Sequence, residues 1–228
     1  MAQMERIQRL AEEVLTFQVS SGHIERWLWD RAKRIARNAE QISKLPELTK
    51  KGVSFDLFAL LAAAYLSDAG YRISTQIEGK TGWAALQLQG KQLRENSIQI
   101  IKGKEKDPCL EGKADLICRI IAESENRSTQ LLEARILSDA RMLDEIGALG
   151  IVHEIRRCIL QGKGPGALLE GWDRRIEYRY WEARLKEGFH FPSVRRIAQD
   201  RFEAMERYIQ QLRKEYFGQD LESFGGTL

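Results

Sequence analysis

Hydrophobic residues in this chain recur at intervals of three and four rather than two, the spacing of helices with one buried face. From Met4 to about Phe17, the positions Ile7, Leu10, Ala11, Val14 and Leu15 trace a first helix, and Ser20, Ser21 and Gly22 interrupt it. A second helix is predicted from around His23, with Ile24, Trp27, Leu28, Arg31, Ile35, Ala39 and Ile42 on its stripe and Ser21 as its cap. Trp27 and Trp29 are two apart and cannot share a face, so one is expected in the core and the other near the surface. Lys33, Arg34 and Arg37 fall off the stripe and read as a solvated face rather than a phosphate site.

The stretch from Phe55 to Tyr65 is apolar nearly all round, as a helix enclosed by others would be. Ser54 can cap its start and Gly70 can end it, which places Ser67 and Asp68 at a helix C-terminus. Between Gly70 and Pro108 the pattern weakens, and a mobile excursion or lid broken by short helices is expected. Periodicity returns from Ala114 to Ala122, resumes from Leu131 to about Gly150 and continues to Leu160. Gly162 to Gly166 lacks the spacing of a phosphate-binding loop and reads as a turn. A long amphipathic helix then runs from Ser193 to about Phe217, stopped by Gly218, with Gly225 and Gly226 in a frayed tail. The fold class is all-α, a bundle with a long C-terminal helix. One domain over 1–228 is expected, with a core at about 20–160 and C-terminal helices at about 165–218.

Composition adds exclusions. With 36 Lys+Arg against 33 Asp+Glu the formal charge is +3, which gives no case for a nucleic-acid partner. Three cysteines, Cys109, Cys118 and Cys158, match no disulfide or zinc spacing. No apolar run reaches the roughly 18 residues of a membrane span, and Glu5, Glu12 and Glu13 stand where a signal peptide would be basic then apolar. A cytoplasmic protein without membrane contact is expected.

Four pieces, in order, resemble the HD superfamily of metal-dependent phosphohydrolases, and together they cover most of the chain. His23-Ile24-Glu25-Arg26-Trp27 resembles the opening helix, in which a histidine followed three residues later by arginine gives the first metal ligand. Leu60 to Gly70 is similar to the helix carrying the His-Asp pair. Asp139-Ala140-Arg141-Met142-Leu143-Asp144, continuing to Ile151, resembles the segment DADRLDAIGAIGI of small bacterial HD proteins, and Tyr180 to Gly218 resembles their closing helices. The resemblance implies an HD-type bundle and four metal ligands at 23, 67, 68 and 141. Here these are His23, Ser67, Asp68 and Arg141.

A hydroxyl is a weak donor to a transition metal, and a guanidinium has no lone pair and is always charged. The resemblance therefore implies a degenerate site: His23 and Asp68 as remnant metal ligands, Asp68 and Arg26 as remnant catalytic positions, and Ser67, Arg141 and Asp144 in the old pocket. Arg141 is expected to replace the cation as the countercharge of a buried Asp68. No cofactor is expected on this reading.

The alternative is a rebuilt shell, with Glu123 and Asp139 joining His23 and Asp68 around manganese or magnesium in an active phosphohydrolase on nucleotides or other phosphate esters. An alignment two residues different would make Asp139 the fourth ligand. Asp139 and Asp144 can equally cap helix ends around Gly147. His153 and His190 read as local hydrogen-bonding residues. Trp172, Tyr178, Tyr180 and Trp181, interleaved with Arg174, Arg175 and Arg179, read as the edge of an aromatic core, with nucleobase stacking as the functional option. Three functions stay open: a non-catalytic module binding a nucleotide, another phosphorylated ligand or a protein partner in the old pocket, the active hydrolase, and a purely structural role.

Overall fold

The computed structural model describes residues 2–18, 24–74 and 90–221. The expected all-α class is what the chain adopts: α1 Ala2–Leu15, α2 Trp27–Ser43, α3 Leu57–Leu66, α4 Gly90–Gly103, α5 Ala114–Glu123, α6 Leu132–Asp144, α7 Ala148–Leu160, α8 Pro165–Glu177, α9 Tyr180–Glu187 and α10 Pro192–Tyr216. Two compact units divide it, Met1–Arg141 and Met142–Leu228, and the boundary falls within α6. No helix among the described residues is long and apolar enough to cross a membrane.

Within the first unit, α3 packs against α1, α2 and α5. Its alanines Ala59, Ala62, Ala63 and Ala64 are all fully buried, so three neighbours can approach one short helix without large side chains between them. Ile7, Val14 and Leu15 from α1, Ile35 and Ala39 from α2, and Ile117, Ile120 and Ile121 from α5 fill the space around it. Trp29 is the buried member of the tryptophan pair, its ring 5.8 Å from that of Tyr65. Trp27 is half-buried.

Several local expectations are corrected. α1 stops at Leu15, because Phe17 and Gln18 pair antiparallel with Glu25 and Ile24 in a two-residue ribbon. α2 therefore begins at Trp27 and not near His23, and the Glu25 carboxylate accepts the Trp27 N–H at 2.7 Å. Both Ser21, the expected cap, and His23 lie outside the described residues. The cap of α3 is Asp56 in place of Ser54: its Oδ1 accepts the Ala59 N–H at 2.9 Å, and Lys113 pairs with the other oxygen. Burial opposes ionisation of Asp56, yet the hydrogen bonds from Lys113 and Ala59 hold its carboxyl below the ordinary value.

Gly70 does not stop α3 through a left-handed residue. The chain runs on in tight turns, Ala69 N–H to Leu66 C=O at 3.0 Å and Tyr71 N–H to Asp68 C=O at 3.1 Å. What requires glycine is α4: a Cβ at position 70 would lie 2.4 Å from the Leu93 carbonyl oxygen. The Gly70 N–H donates to Ser97 Oγ at 2.8 Å, and that hydroxyl lies 2.9 Å from the Ser67 carbonyl. The weakly patterned stretch after Gly70 thus contains a regular helix of 14 residues, α4, bound to the turn beside Asp68. Of the excursion or lid expected between Gly70 and Pro108, residues 75–89 lie outside the described residues, as do Gly225 and Gly226.

In the second unit, the continuous helix expected through Gly150 is broken: Gly147 has φ 92° and precedes α7. A Cβ there would meet the Arg201 side chain at 3.0 Å and would be strained at that φ. Pro165 opens α8 and Gly218, at φ 70°, follows the end of α10. Trp172, Trp181 and Phe202 form the aromatic centre, with Trp172 stacked on Phe202 at 5.8 Å and 16°.

Two outcomes follow. Gly70→Val should destabilise the protein by about 1 to 3 kcal/mol through forced displacement of α4, read as a lowered urea midpoint. Asp56 is an acid with a depressed folded-state pKa, so its contribution is present above the unfolded value and disappears as pH falls through the folded one. Wild type should lose more stability than Asp56→Asn between pH 5 and about pH 3, measured by thermal unfolding.

Candidate functional site

Asp68 sits in the turn after α3 with its side chain 1% exposed, and a carboxylate at that depth requires compensating charge. Two guanidinium groups supply it. Arg31 Nη1 donates to Oδ2 at 2.6 Å, and Arg141 Nη1 donates to Oδ1 at 2.9 Å. Arg141 Nη1 also donates to Ser67 Oγ at 2.6 Å, and Ser67 Oγ donates to the Ala64 carbonyl at 3.2 Å. Arg31 comes from α2 and Arg141 from α6, so the carboxylate ties three helical segments of the first unit together. The Asn38 side chain, also on α2, donates to the Ala140 carbonyl at 3.3 Å beside Arg141.

The contact between Asp68 and Arg141 is the one that the pattern of replacements led us to expect. Arg31 was not anticipated in it. The available signal was an arginine on the apolar stripe of an amphipathic helix, between Leu28 and Ile35, where it is 9% exposed. Such a residue must bring its charge to a buried partner.

This donor set does not fit a divalent cation. Each oxygen of Asp68 accepts from a guanidinium and the Ser67 hydroxyl is held by Arg141, so a cation placed here would meet two positive side chains. Among the described residues no three His, Cys, Asp or Glu side chains gather in a way that could hold a metal. Arg26 is exposed and pairs with Glu12. Glu123, at the end of α5, bonds to Thr129 and to Arg119 Nε at 2.7 Å, and these contacts, Thr129 first, lower its pKa. Asp139 is fully buried on α6.

Asp144 lies in the second unit, also fully buried, with His153 Nε2 3.0 Å from its Oδ2. His153 is therefore a local hydrogen-bonding residue. Arg201 Nη1 donates to the Leu143 carbonyl at 2.6 Å, so residues 143 and 144, at the end of α6, are held from α7 and α10. Burial pulls the Arg201 pKa below its ordinary value, with Asp144 acting in the opposite sense. In the aromatic group, Trp172 and Trp181 are 8% and 4% exposed and Tyr178 is 77% exposed, the profile of a core edge.

No protein-family model matches the chain, and no curated protein matches it. Solved structures do. YpgQ of Bacillus subtilis in complex with ADP is 23% identical with a TM-score of 0.60, over 94% of this chain and 95% of that one. A selenomethionine form of YpgQ gives 22% and 0.58, over 94% and 96%. The Lin1889 protein of Listeria innocua gives 21% and 0.52, over 93% and 96%. At these identities the likeness is one of fold.

Asp68→Ala would remove the carboxylate that Arg31 and Arg141 share and should cost about 3 to 5 kcal/mol. Arg141→Ala should cost less, since Arg31 continues to neutralise Asp68, and the more buried Arg31 should lie between. Urea unfolding of the three variants checks the order; negligible losses would exclude a stabilising cluster.

Proposed function

We propose that this protein is an HD-type helical module working in the cytoplasm without a catalytic metal, which binds a nucleotide or another phosphorylated ligand and does not hydrolyse it. The observation that carries the reading is the occupancy of both Asp68 oxygens by Arg31 and Arg141 at 2.6 and 2.9 Å. A divalent ion activates a phosphate ester by polarising a phosphoryl oxygen and lowering the pKa of bound water. A guanidinium can match the first effect in part, through charge, but holds no water to deprotonate. Metal-dependent hydrolysis through Asp68 would set the ion against the guanidinium groups of Arg31 and Arg141.

The ligand class is supported from a different side. YpgQ, similar in fold, was solved with ADP, and the residues at 23, 26, 68, 139 and 144 retain parts of the HD pattern. Ligand binding without turnover keeps that architecture in use after its metal shell is gone. Asp68 then serves as the anchor joining α2, α3 and α6, and not as a ligand to a cation.

Metal content of the purified protein, measured by plasma emission, should be far below one equivalent after manganese loading and desalting. Nucleotide and phosphate-ester hydrolysis should stay at the uncatalysed level with manganese or magnesium. ADP binding measured by calorimetry should be unaffected by EDTA. Stoichiometric metal together with hydrolysis abolished by Asp68→Asn would overturn the proposal. The double variant Ser67→His with Arg141→Asp, which returns an imidazole and a carboxylate to the pocket, should bind manganese more tightly than wild type.

A further inference from the structure

The polar atoms around Asp68 are committed to one another inside the first unit, which leaves open where a ligand would be held. A cleft of about 550 Å³ lies wholly within the second unit, between α8, α9 and α10. That volume is within the range of roughly 300 to 1,000 Å³ typical of small-molecule sites. Its rim carries Arg175, Arg179, Lys186 and Arg195, and Trp181 and Phe202 lie beneath them. Two of the cations are already paired: Arg175 with Glu154 at 2.9 Å, a carboxylate it shares with Arg157, and Arg179 with Glu182 at 2.7 Å. Lys186 and Arg195 make no ion pair among the described residues, and Arg195 only donates to the Phe189 carbonyl at 3.2 Å. Against their two charges the rim sets one further carboxylate, Glu206, so the opening is net positive.

Two more features mark this cleft. Arg179 is the only non-glycine residue with positive φ among the described residues, at 53°. It joins α8 to α9 in that conformation, held by both oxygens of Glu182. Backbone strain of this kind persists where the surroundings impose it and concentrates at ligand clamps. The Trp181 indole N–H is buried and has no hydrogen-bond partner, a cost that a core tryptophan normally avoids.

We infer that this cleft is the site for a nucleoside phosphate, with the phosphate on Lys186 and Arg195 and the planar ring over the apolar wall formed by Ile176, Trp181 and Phe202. Arg179 and Glu182 form the fixed lip. A guanidinium and an ammonium suit a phosphate by charge, and an aromatic wall suits a base. The inference takes its ligand class from the function proposed above and its location from the cleft alone. Because Lys186 and Arg195 are exposed, reversing them should leave the fold intact.

Calorimetry of the full chain in EDTA, with ADP and separately with inorganic phosphate, tests it. K186E/R195E should weaken ADP binding by about tenfold or more, and inorganic phosphate should bind wild type more weakly than ADP because it lacks the ring. A charge reversal elsewhere, K91E on the exposed side of α4, should change nothing. Circular dichroism melts confirm that the variants fold. ADP binding that K186E/R195E leaves unchanged overturns the cleft and spares the proposed function. No ADP binding to wild type overturns both the cleft and that ligand class, while the metal analysis still decides the metal-free state. Inorganic phosphate as tight as ADP overturns the aromatic part of the site.

Discussion

A carboxylate that is 1% exposed organises the first unit. Removing Asp68 from water is costly, and α2 and α6 each deliver a guanidinium to a different oxygen, which offsets that cost. Three helical segments are consequently fixed in orientation at one point. Around that point the packing is complementary: four alanines narrow α3 so that neighbours can close in, and Gly70 lets α4 reach the turn that presents Asp68. Ser97 then ties the Gly70 amide and the Ser67 carbonyl to α4. Charge pairing sets position and apolar packing supplies the bulk of the stability.

The second unit is organised differently. Its centre is aromatic, with Trp172, Trp181 and Phe202 in mutual contact. Its buried carboxylate, Asp144, has a histidine against one oxygen and acts on the Arg201 guanidinium. Arg201 binds the backbone at Leu143 and packs beside Gly147, so the break between α6 and α7 is held by a side chain from a distant helix. Trp181 and Phe202 of the same aromatic centre line the cleft whose rim carries Arg175, Arg179, Lys186 and Arg195.

Much of this was legible in the spacing of apolar residues. The enclosed character of α3 followed from a run with no polar face, and the long last helix from a stripe reaching from Val194 to Leu212. The pairing of Asp68 with Arg141 was legible because two replacements, neither sensible alone for a metal site, made sense as a charge exchange. What escaped was non-local. Gly70 looked like a helix stop because sequence shows a glycine but not the α4 carbonyl pressed against it. Asp56, whose cap bond to Ala59 is local, stands two residues after Ser54 and is equally suited by type, and the Lys113 that holds its other oxygen is far away in the chain. Arg31 was read as one more position on a stripe, since its carboxylate partner lies 37 residues away.

The junction at Asp68 also bears on how the chain can vary. Ser67 and Asp68 both accept from the same nitrogen of Arg141, so positions 67, 68 and 141 share one guanidinium. An imidazole at 67 would meet that donor, and a carboxylate at 141 would stand against Asp68 in place of a cation that now offsets it. Substitution at any one of the three is therefore felt at the other two, and the three residues are constrained to change as a set.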